Sequence, residues 1–148
     1  MEQNNTWMRY LRLGIIINIL ILFYSCNKIT EFTQEGDFYF VNETNHRITF
    51  DKGLEKFNVL PKSTTLFTDI QDSGGRASAS NYQSPLMIIS RGGLTVRFND
   101  NKCLENNYYT EHSILDINNF VAEKISIRKF KFTYTFTEAD YNRAVACP

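Results

Sequence analysis

His46 and His112 are the only histidines in the 148-residue chain, so they mark the first places where proton or metal chemistry could sit. Imidazole binds metals and moves protons near neutral pH, but a metal site needs three or four converging ligands. Neither histidine has a partner at a recognised ligand spacing. Asp100 and Glu111 stand at the first and last places of a calcium-loop spacing. Lys102 and Leu104 fill its ligand positions, however, and Glu105 replaces the required glycine. No metal or cofactor is expected. Nucleophilic catalysis needs a nucleophile with a base in reach. The chain has no Gly-x-Ser-x-Gly, and Ser73-Gly74-Gly75 lies in a glycine-rich loop without a nearby base. A Cys103–His112 pair would supply a thiolate and its base, but a cystine or an inert thiol is the commoner fate of such a cysteine. No catalytic residue is expected.

Binding chemistry has a few more candidates. Sugar rings stack on exposed aromatic side chains. Tyr108 and Tyr109 lie in a polar stretch and Tyr82 lies beside the glycine-rich loop, which makes these three the candidate ligand-binding residues. The alternative for each is half-buried packing at the rim of a domain. Sixteen basic residues balance 16 acidic ones, so the chain lacks the basic stripe that nucleic acid demands. Nucleic acid is not an expected partner.

The elements that must position these groups read as short strands. Phe38–Val41 and Arg47–Phe50 are β-branched and aromatic runs separated by Asn-Glu-Thr-Asn, a hairpin signal in which Asn42 and Asn45 close the turn. Phe57–Leu60 and Thr64–Phe67 follow, divided by a turn at Lys62-Ser63. Residues 72–81 hold no large apolar side chain and read as a surface loop. Leu86–Ile89 is a continuous apolar run, which predicts a buried strand. Leu94–Phe98 and Lys102–Glu105 flank Asn99-Asp100-Asn101, residues that tolerate positive φ in a tight turn. Residues 106–119 read as irregular.

The clearest alternation is Phe130, Phe132, Tyr134 and Phe136, interleaved with Lys131, Thr133 and Thr135. Period two means one wet face and one buried face. Ile125 and Ile127 hold the opposite phase, which predicts a β-bulge at Arg128-Lys129. Thr137 reads as a helix N-cap with Asp140 at the capping-box position, predicting a short helix from Glu138 to about Ala146. The whole predicts an all-β fold, an antiparallel immunoglobulin-like β-sandwich with a short C-terminal helix. A small antiparallel barrel is the alternative.

The N-terminus carries an address. Arg9 and Arg12 precede the apolar run Leu13–Tyr24, and a basic segment before an apolar core of roughly 7 to 15 residues is the pattern of an export signal. The run is short for a membrane span, which needs about 20 residues, and Asn18 interrupts it. It closes on Ser25-Cys26. This ending resembles the lipobox of bacterial lipoprotein signal peptides, with Phe23 and Tyr24 where that family usually has Leu and a small residue. Relaxed boxes ending in Ser-Cys occur in lipoproteins of the Bacteroidota. The segments Phe38–His46 and Phe132–Ala144 are similar to small β-rich lipoproteins of that group, a resemblance that brings no activity with it.

The resemblance implies a signal peptide over residues 1–25, lipidation at Cys26, a tether over residues 26–36 and a β-sandwich domain over residues 37–148. Loss of the signal would remove Trp7, the only tryptophan, and leave the domain near neutral. Two or more acyl chains anchor a protein stably where one does so marginally. The membrane is therefore the first expected partner, and the expected address is the bacterial cell envelope, at the outer membrane. Nothing after Cys26 sorts the periplasmic from the surface face. With Cys26 assigned to the lipid, Cys103 and Cys147 remain either as a cystine or as two free thiols. The expected function is a non-enzymatic binding or structural module with an envelope protein or glycan partner. The alternatives are a small envelope hydrolase and a glycan-binding accessory protein.

Overall fold

The computed structural model describes residues 32–50, 57–73, 77–90 and 93–148. The predicted signal, its lipobox and residues 26–31 of the tether lie outside them. Among the described residues the chain runs β1 (Phe32–Asn42), β2 (Ile48–Phe50), β3 (Asn58–Val59), β4 (Thr64–Ser73), α1 (Pro85–Ser90), β5 (Gly93–Phe98), β6 (Lys102–Asn107), β7 (Val121–Ser126), β8 (Lys129–Phe136), α2 (Glu138–Arg143) and β9 (Val145–Ala146). Single 3-10 turns occupy Ala79–Asn81 and Ile117–Asn119. Two sheets result, ordered β4-β1-β8-β7 and β3-β2-β5-β6-β9. The fold is all-β with little helix, and the sheets do not close into a barrel.

The alternation in β8 separates core from solvent as its spacing predicts. Phe130, Phe132, Tyr134 and Phe136 are buried and every residue between them is half-buried. Phe132 stacks on Phe38 of β1 with ring centroids 5.0 Å apart. Phe50 of the second sheet reaches across to Phe40 at 6.2 Å and Phe136 at 5.9 Å, so the two sheets share one aromatic core. The β5–β6 hairpin also follows its sequence, since Asn99 and Asp100 take φ of 51° and 63° in the turn.

Several expectations are corrected. Phe38–Val41 and Arg47–Phe50 do not form a hairpin, because β1 lies in the first sheet and β2 in the second. Residues 43–47 carry the chain from one sheet to the other. β1 pairs with β4 antiparallel but with β8 in parallel, so the first sheet is mixed. Charge favours this parallel register. Lys129 Nζ contacts Asp37 at 2.9 Å and also Glu35, and the Lys129 hydrogen bond holds the Asp37 carboxyl below the ordinary carboxylate range. β1 starts five residues before the expected domain boundary. Gly36, expected in the tether, is a packing position, since a Cβ there would stand 2.7 Å from the Phe38 ring and 3.2 Å from Tyr82.

Leu86–Ile89 belongs to a helix rather than a strand. A short apolar run fits either element, and Pro85 at the first helical position decides it, since its fixed φ suits a helix start. β4 continues to Ser73 into the expected loop. Ile114 and Leu115, expected in irregular chain, are fully buried.

The predicted bulge is displaced. The chain turns at Ile127-Arg128, and the register irregularity falls between Lys124 and Ser126 on β7. All six β7 residues are exposed, so the opposite phase of Ile125 and Ile127 never has to be reconciled with the core. The last helix stops at Arg143, with Asp140 accepting from the Thr137 N–H at 2.8 Å, and β9 replaces its expected final turn.

Phe132 is fully buried between Phe38 and Tyr82, whereas Thr133 is on the outer face. Phe132→Ala is expected to cost about 3 to 5 kcal/mol and Thr133→Ala less than about 1 kcal/mol. Urea unfolding of the two variants measures the difference, and equal losses would sink the division of β8 into two faces.

Candidate ligand-binding hollow

Tyr82 follows the first 3-10 turn and is 2% exposed, not a platform. Its ring packs against Phe130 and Phe132, at 5.5 and 4.8 Å, and its hydroxyl donates to the Glu35 carbonyl at 3.0 Å. Burial, then the nearby Glu35, pushes this phenol above its ordinary pKa. An aromatic residue beside a polar loop offers no sequence signal for this inward turn. Tyr108 and Tyr109 are 40% and 93% exposed, with their rings edge-to-face at 5.4 Å.

Tyr82 and Tyr108 nevertheless meet at one hollow of about 350 Å³, Tyr82 in its wall and Tyr108 at its rim. The sequence reading missed its polar members: Asn81, Gln83 and Asn118, set around Leu115 and Ile117. Each has a local anchor. Gln34 Nε2 donates to the Asn81 carbonyl at 3.3 Å, the Gln83 N–H donates to Gln71 Oε1 at 3.0 Å, and the Asn118 N–H donates to Oδ1 of Asp116, which caps the turn, at 3.0 Å. Ser84, buried beneath, donates its hydroxyl to the Ile114 carbonyl at 2.8 Å and ties α1 to the segment carrying Leu115. None of the lining residues carries a charge.

A second hollow of about 460 Å³ lies where Glu111, His112 and Asn119 face Asp140 and Arg143 of α2. Its charges are engaged with one another. Arg143 pairs with Asp140 and donates to the Glu111 carbonyl at 3.5 Å. Tyr134, raised in pKa mainly by burial, donates to the His112 carbonyl at 2.7 Å. His46 sits elsewhere, stacked on Tyr141 at 3.7 Å with Asn99 Nδ2 2.9 Å from its Nδ1. Asp100 lies in the β5–β6 turn and Lys102–Glu105 in a strand, which removes the calcium-loop geometry. Among the described residues no three His, Cys, Asp or Glu side chains converge.

Cys103 and Cys147 are joined as a disulfide, 44 residues apart in the chain, so Cys103 is not a thiolate partner for His112. The bond clamps the C-terminus where β9 pairs with β6. No family model, curated protein or solved structure matches the chain.

Closing a loop of this length is worth up to about 4 kcal/mol by the chain-entropy model. Cys147→Ser is therefore expected to lower the melting temperature, and reductant should lower that of the wild type alike while leaving the variant unmoved. An unchanged midpoint in both would show that the β6–β9 pairing needs no covalent clamp.

Proposed function

We propose that this protein is a lipid-anchored module of the bacterial cell envelope that binds an uncharged glycan at the Tyr108 hollow and has no catalytic role. The observation that carries the ligand class is the lining itself, a half-exposed aromatic ring beside amides and small hydroxyls with no charged group. Neutral sugars present apolar ring faces and hydroxyl edges. A ring for stacking and amides that both donate and accept suit them. A phosphate or carboxylate ligand would need a cation that the hollow does not offer. We read the two-sheet fold as immunoglobulin-like, with the hollow formed by connecting segments of the kind that carry binding sites on β-scaffolds.

The ligand reading is tested by titrating neutral oligosaccharides into the protein by calorimetry. Tyr108→Ala should weaken the best ligand about tenfold or more, the loss of one stacking contact of roughly 1.4 kcal/mol, and Tyr109→Ala should weaken it less. Tight binding of anionic ligands only, or indifference to Tyr108→Ala, would count against it.

The address reading rests on Ser25-Cys26 after the apolar run. Cys26→Ser should abolish metabolic labelling with an acyl probe and leave an uncleaved precursor in cells. Labelling retained in that variant would remove the lipid anchor.

A further inference from the structure

The first sheet ends in two edges of different kind, β4 and β7. β7 contains Glu123 and Lys124 and a register irregularity, devices that keep edge strands from pairing. Laid antiparallel against its own copy, it opposes Glu123 to Glu123 or Lys124 to Lys124 in the registers that pair most of its length. β4 has no such irregularity, and its charges are limited to Asp69 and Asp72. Its ten residues include no Lys, Arg or Pro, and its register with β1 is unbroken from Phe32–Ser73 to Val41–Thr64. Leu66 and Ile70 on its outer face are 50% and 70% exposed, and no strand among the described residues pairs with its far edge.

Backbone direction is fixed as well. The Asn42 N–H donates to the Ser63 carbonyl at 2.8 Å, in line with the β1–β4 ladder. Successive residues of an antiparallel strand aim their N–H and C=O groups to opposite sides. Thr65, Phe67, Asp69 and Gln71 therefore face β1. Thr64, Leu66, Thr68, Ile70 and Asp72 present their groups to the open edge.

We infer that a second copy of this chain pairs with β4, antiparallel about a two-fold axis at Thr68, and joins two four-stranded sheets into one continuous sheet. In this register Thr68 meets Thr68 of the partner subunit. Leu66 meets Ile70 of the partner subunit on each side, which buries both exposed side chains against each other. Thr64 meets Asp72 of the partner subunit, and Asp69 meets Phe67 of the partner subunit rather than another acid. An axis at Asp69 would oppose two carboxylates, and an axis at Phe67 would set Ile70 against Thr64 and break the apolar pairs.

The full chain in detergent, followed by light scattering on a sizing column, should show twice the protomer mass. Ile70→Lys should return it to a single protomer, with an unchanged far-ultraviolet circular dichroism spectrum to show that the fold is intact. Thr68→Cys should form a disulfide-linked dimer on mild oxidation, because cross-strand Cα atoms about 5.5 Å apart lie within disulfide reach. Thr133→Cys, in the middle of the sheet, should not, and the wild type accounts for the native cysteines. A wild type that is monomeric at every concentration, a dimer that survives Ile70→Lys, or a Thr68→Cys chain that fails to crosslink would each overturn the pairing.

Discussion

The constraint on which the rest of the structure depends is the carboxamide of Asn42, where the chain leaves the first sheet for the second. Its Nδ2 donates to the carbonyls of His46, Val59 and Leu60 at 2.7, 3.2 and 3.1 Å. An amide has only two N–H groups, so three acceptors share them. Its Oδ1 accepts from the Thr44 N–H and hydroxyl at 2.9 and 2.8 Å. One buried side chain thus ends β1, shapes the crossover and fixes the end of β3. Each such bond contributes about 0.5 to 1.5 kcal/mol, and each partner left buried and unpaired costs about 1 to 3 kcal/mol. The crossover also hands Ile48 and Phe50 to the second sheet with both side chains buried in the core, Phe50 against Phe40.

From that point two forces of different range complete the first sheet. Apolar burial drives β8 against β1, but it is non-directional and would accept neighbouring registers. The ion pairs on the outer face are directional. Glu35 and Asp37 stand beside Lys129 and Lys131 along the parallel ladder, and Lys131 continues the row to Glu123 of β7 at 3.2 Å. Exposed pairs contribute little to stability. Their effect here is to select a register, since a shift of two residues either way would leave Lys129 with one of its two carboxylate partners, Glu35 and Asp37, instead of both.

Much of this was readable wherever a local pattern and its burial agree. β8 and the β5–β6 turn follow from alternation and from residues that tolerate positive φ. What the sequence hid is long-range pairing. Nothing local tells Phe38–Val41 that its neighbours will be β4 and β8 rather than β2, because the two runs flank a good turn. The hidden function of Asn42 illustrates the difficulty: the same Asn-x-Thr that predicts a turn also bonds residues 17 and 18 positions away. Leu86–Ile89 shows the complementary case, a run whose length fits strand and helix alike. Among candidate residues, the polar neighbours of Tyr108 and Tyr109 left both exposure and half-buried packing open, and only the fold decides for exposure. Tyr82 was not readable either, since its inward turn depends on the space that Gly36 leaves on a different strand.

That dependence bears on how the hollow can vary. Its wall is core: the Tyr82 ring packs tilted against Phe132 of β8, and Leu115 is 1% exposed. A change there alters the packing of the sheets as well as the shape of the hollow, at the cost of large-to-small core substitutions. The rim is different. Tyr108 extends beyond the end of β6, and Asn118 sits in a single 3-10 turn held by Asp116. Rim residues can change with little effect on stability, as exposed positions generally do. Changes in the shape of the hollow at little cost in stability are therefore expected at Tyr108 and Asn118, with Tyr82 fixing its depth. The physical division between wall and rim is the same one that alternation draws along β8, between side chains that hold the sheets together and side chains free to meet something else.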